Sequence, residues 1–144
     1  MPDITGHAKK YLIVALQSSL YAFDLAQVAE VNDPQPTWPI PLTPPCYKGA
    51  LNFHGDILPV IDLPLLLGLP ECSLPGKLVV IHKDIASIGF LVDRVVKIVP
   101  ETEIISEKEP ENNSTDSVFS LPDGEITRLN LESLVLCAAS MIRK

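Results

Sequence analysis

The chain has 144 residues, a formal charge of −7 at neutral pH and 47% hydrophobic residues. That acidity excludes a nucleic-acid surface, which needs clustered Lys and Arg. The apolar content predicts one filled domain rather than a disordered chain, and no apolar run approaches the roughly 20 residues of a membrane span.

Residues 1–10 lack the apolar core of a secretory signal. Cys46, Cys72 and Cys137 are odd in number and form no CxxC pair. Their spacing predicts neither a disulfide framework nor a zinc site, and a reducing cytoplasm is the expected compartment. Residues 11–16 read as an apolar strand covered on both faces. Gln17-Ser18-Ser19 turns the chain into a second strand over 20–25, and residues 28–31 make a short third. Residues 32–45 hold six prolines, which predicts a stiff extended connection without ladder hydrogen bonds. Trp38 within it reads as an anchor on the core, with an exposed interaction residue as the alternative.

Residues 50–53 and 57–61 flank His54-Gly55-Asp56, the turn of a hairpin. Asp62 then stands at a helix N-cap, Pro64 sits in the first turn where a missing donor does little harm, and Gly68 offers a stop. Residues 78–82, 86–93 and 95–99 read as three further strands, the last stopped by Pro100. The acidic stretch 101–117 is the least ordered by composition, and its charges read as a solvated face. A second hairpin spans residues 118–129 around Pro122-Asp123-Gly124, and Asn130 caps a helix running to residue 142.

The halves correspond. Residues 11–14 line up with 78–81, and 28–31 with 95–98, at an offset of 67; the caps Asp62 and Asn130 differ by 68. Strand, strand, strand, hairpin, capped helix occurs twice. Five short strands can curl into a small barrel and hide their edges. A mostly β fold of two packed five-stranded barrels with a C-terminal helix is expected, with a crevice between the barrels. The lobes are expected at about 17–76 and 77–129, the helix at 130–142, and the strand over 10–16 crossing between lobes.

Catalytic signatures are absent: no GxSxG, glycine-rich phosphate loop, HExxH or paired Cys/His pattern occurs. Asp62 and Asp93 are explained more economically as cap and turn residues. Glu30 lies among aliphatic strand residues, where burying an unpaired carboxylate would cost several kcal/mol. It must therefore face outward, as an ordinary solvent-facing residue or as a group that meets a partner. Gly49 opens the hairpin strand, where the missing side chain serves either a backbone turn or close approach by another chain.

Taken together, Tyr21-Ala22-Phe23-Asp24, Val28-Ala29-Glu30-Val31, the run from Gly49 to Leu63, Gly89-Phe90-Leu91-Val92-Asp93-Arg94-Val95 and Leu129-Asn130-Leu131 resemble the CheW-like domain, the adaptor of bacterial chemotaxis arrays. The resemblance covers residues 11–138, almost the whole chain, and implies a pair of SH3-like five-stranded barrels. It implies a non-enzymatic scaffold without cofactor or metal. Its partners would be the regulatory domain of the histidine kinase CheA and the cytoplasmic tip of chemoreceptors. The protein would then be cytoplasmic and associated with membrane-bound receptor arrays. Receptor contact would use Val28, Glu30, Gly49 and His54. Family members usually carry Arg where this chain has His54, so one contact differs, because neutral His has one donor where Arg has a charged fork. A module serving another motility or regulatory pathway, or binding the kinase alone, is one alternative. A small hydrolase using His54, Asp56 and Asp62 is the rival from another class.

Overall fold

The computed structural model describes residues 9–71, 76–108, 118–122 and 124–142. His7, Cys72 and most of the acidic stretch therefore lie outside the described residues. Among the described residues, eleven strands form two sheets. β1 (Lys10–Leu16) and β2 (Ser19–Asp24) form a hairpin, followed by a single 3-10 turn and β3 (Val28–Asn32). β4 (Tyr47–Phe53) and β5 (Asp56–Asp62) form the next hairpin and lead into the short helix α1 (Leu63–Leu66). β6 (Lys77–Ile81), β7 (Gly89–Val92) and β8 (Arg94–Pro100) follow. β9 (Ser106–Lys108), β10 (Val118–Leu121), β11 (Gly124–Arg128) and helix α2 (Leu131–Ile142) complete the chain.

One sheet runs β3-β6-β7-β5-β4 and the other β8-β1-β2-β11-β10-β9. Matching β1–β3 to β6–β8, and the hairpin β4–β5 to β10–β11, converts one order into the other. The duplication is therefore real, but the halves exchange their leading hairpins. β6–β7 completes the sheet begun by β3, β4 and β5, and β1–β2 completes the sheet of β8, β10 and β11. No single cut of the chain, near residue 76 or elsewhere, separates the strands of the two sheets. The crossings are short. A three-residue 3-10 turn separates β2 from β3, and Asp93 alone separates β7 from β8. Asp93 stands at the bend between them, and its Oδ2 accepts from the backbone N–H of Gln17 at 2.6 Å.

Among the described residues the second sheet carries a sixth strand, since Ser106–Lys108 of the acidic stretch pairs with β10. The two sheets also pack against one another. Leu12, Leu16 and Phe23 of one sheet meet Ile61, Val79 and Phe90 of the other in a buried cluster, with the Phe23 and Phe90 rings 6.3 Å apart. Strands that are apolar on both faces bury one face there and the other inside their own sheet. Tyr11, Ile13 and Phe119 fill the interior of the second sheet, and Leu51, Leu58, Val60, Leu78 and Val80 that of the first.

Both helix caps form as expected. The Leu65 N–H donates to Asp62 Oδ1 at 3.0 Å and the Ser133 N–H to Asn130 Oδ1 at 3.1 Å. Asp62 is fully buried, so its removal leaves a partly buried donor unsatisfied as well as an uncapped helix. Asp62→Ala is expected to lower the unfolding free energy by about 1–3 kcal/mol in urea titration, and Asp62→Asn by clearly less.

Candidate functional site

Two strand bulges decide which way the site residues face. Val28 pairs with Ile81 and Glu30 with Val80, so two steps along β3 match one step along β6. A regular strand would send Val28 and Glu30 to the same face, because side chains alternate with a period of 2. The extra residue, Ala29, reverses this. Val28 packs against the core between the sheets, and Glu30 turns to the opposite face, beside Val80. The charge thus avoids the intersheet core, as burial energetics demand.

His54 reaches the same place from the β4–β5 turn. It holds a positive φ of 50° and Gly55 one of 89°, the pair of values a two-residue primed turn requires. Asn52 Oδ1 accepts from the Gly55 N–H at 3.0 Å and pins the turn. The imidazole stands edge-on to Phe53, with centroids 4.2 Å apart. Its Nε2 lies 2.9 Å from Glu30 Oε2, while Asn32 Nδ2 donates to Glu30 Oε1 at 3.3 Å. The hydrogen bond from His54, and after it the one from Asn32, hold the Glu30 carboxyl below its ordinary pKa. Both members of the pair keep contact with solvent, at 40% side-chain exposure for Glu30 and 70% for His54.

Glu30, Phe53 and His54 form the wall between two adjoining cavities of about 280 and 460 Å³. Phe53, Leu58 and Val80 give the smaller one an apolar lining, and Asp56, His82 and Lys83 stand on it with the pair. Sequence reasoning selected Glu30 and His54 but missed the apolar residues beneath them, which read only as alternating strand positions. It also left His82 unassigned, although both described histidines meet this one cavity.

Gly49 does something else. It is buried at a second bulge, between Tyr47 and Gly49, with φ +130°. A Cβ there would lie 2.4 Å from the Trp38 carbonyl oxygen. The close approach read from the sequence is therefore made by this chain's own residues 37–38. Trp38 donates its N–H to Ala50 O at 3.0 Å and accepts from the Ala50 N–H at 2.9 Å. The proline-rich connection thus does make ladder hydrogen bonds to β4, through the Trp38 backbone. The ring is 50% exposed rather than anchored in the core.

The hydrolase constellation does not assemble. Asp62 is buried at its cap and does not line the cavity where His54 and Asp56 stand. Among the described residues, no group of three or more His, Cys, Asp or Glu could hold a metal ion. Cys46 is buried and Cys137 exposed. Among the described residues, no helix is long and apolar enough to cross a membrane.

Residues 10–135 match the CheW-like domain family. The chain is similar to the chemotaxis protein CheW of Thermotoga maritima, 33% identical over 107 residues covering 72% of this chain and 70% of the relative. It is also similar to the chemotaxis protein CheW of Bacillus subtilis, 27% identical over 116 residues covering 78% of this chain and 74% of the relative. Among solved structures it is similar to the scaffolding protein TtCheW from Thermoanaerobacter tengcongensis. That likeness has a TM-score of 0.75 and 28% identity, covering 88% of this chain and 92% of that one.

Proposed function

We propose, from the premise that this chain belongs to the CheW-like domain family, that it is a non-catalytic adaptor holding chemoreceptor tips and the histidine kinase CheA in one signalling complex. The relatives are chemotaxis proteins and the solved neighbour is a scaffolding protein, which supports a role in assembly. The observation that carries the receptor side of the reading is the Glu30–His54 pair over an apolar cavity. A helical receptor tip would lay apolar side chains on Phe53, Leu58 and Val80, while Glu30 and His54 fix its orientation. Val28 supports this surface from beneath, and Gly49 maintains the strap at residues 37–38. The kinase contact is made through the regulatory domain, itself a CheW-like fold. Work at receptor arrays places the protein in the cytoplasm.

Separate pull-downs against a receptor-tip fragment and the kinase regulatory domain test the proposal. Capture of both is the expected result. Capture of the kinase domain alone would mean a stand-alone regulatory module, and capture of neither would remove the adaptor reading.

A further inference from the structure

The geometry points to a proton-coupled contact at this cavity: when a receptor tip covers it, His54 takes up a proton to form an ion pair with Glu30, so that binding tightens as pH falls. This inference rests on the receptor-contact reading above and concerns how that contact is regulated.

In the free protein, water solvates both groups, since Glu30 is 40% and His54 70% exposed. The pair then needs no charge on the imidazole, because a neutral ring with its proton on Nε2, 2.9 Å from Glu30 Oε2, can give the carboxylate a hydrogen bond. A partner laid across the cavity removes that water. A carboxylate left with only neutral donors is then poorly compensated for the water it loses. An imidazolium at the same distance supplies the hydrogen bond and a compensating charge, and their attraction grows as the local dielectric falls. Covering the pair therefore favours the protonated ring.

The other charges around the pair do not replace this device. Asp56 of β5 and Lys83 beyond β6, of opposite charge, stand on the same cavity. Asp33, on the neighbouring cavity, pairs with Lys77. His82 Nδ1 lies 3.4 Å from Asp84 Oδ2. The described partners of Glu30 are His54 and Asn32, and of these only His54 can gain a charge. The sign follows from linkage. A group that binds its proton more firmly in the complex strengthens binding below its titration range, and the gain is lost as pH rises through that range.

Calorimetric titration of the full chain with a soluble receptor-tip fragment tests this, at about pH 6 and about pH 8 and in buffers of different ionisation enthalpy. Kd is expected to be about three- to tenfold tighter at the lower pH, with a fraction of one proton taken up near neutrality. Both effects should disappear in His54→Gln and in Glu30→Gln, while His54→Arg should bind at the higher pH as the unaltered protein does at the lower. Equal affinity at both pH values without proton uptake would overturn the coupling, as would uptake that survives His54→Gln. A tip that binds at neither pH would instead remove the receptor reading, and the coupling with it.

Discussion

Gly49→Ala is expected to lower the thermal midpoint by about 5–15 °C, corresponding to about 2–4 kcal/mol. Two costs combine. The backbone at φ +130° lies in a region that L residues enter only with strain. The added methyl would also stand 2.4 Å from the Trp38 carbonyl oxygen and 2.9 Å from Thr37 Oγ1. Relieving that clash means lifting the 37–38 segment off β4 and losing both Trp38–Ala50 hydrogen bonds. Differential scanning calorimetry gives the midpoint directly. Receptor affinity measured well below that midpoint separates the structural role from a contact. Should the midpoint hold and only affinity fall, Gly49 would be a contact residue after all.

Glu30→Lys should weaken receptor-tip binding by about 10- to 100-fold while moving the thermal midpoint by no more than about 1–2 °C. The substitution removes the acceptor used by His54 and Asn32. It sets an ammonium beside the imidazole, on a cavity that already carries Lys83. Like charges brought together under a partner oppose docking. Folding is spared because Glu30 lies outside the buried clusters. The same titration calorimetry reads the affinity. An unaltered Kd would leave Glu30 an ordinary surface residue.

Much of this was legible residue by residue. Two hairpin turns, two helix caps and the order of strands followed from local chemistry. A carboxylate or amide at an N-cap, glycine at a primed turn and an apolar run bounded by breakers each act over a few residues. Glu30 was legible because a charge among aliphatic residues has few tolerable orientations. The cavity beside it was not, since Phe53, Leu58 and Val80 come from two strands and a sheet neighbour supplied by the other half of the repeat. The kinase and receptor partners entered through resemblance alone, because the residues themselves specify a docking surface and not its occupant.

The amino-acid order determined on its own a duplicated, mostly β chain with capped helices and an outward-facing Glu30, because these are consequences of propensity and desolvation at single positions. Only the tertiary structure decided that the halves exchange hairpins. The corner at Asp93 looks locally like any break between strands, while the pairing it permits is a choice among distant partners. It also decided that one extra residue, Ala29, swings Glu30 away from Val28 and toward His54. A bulge is defined by register against a neighbour, and register belongs to no strand alone.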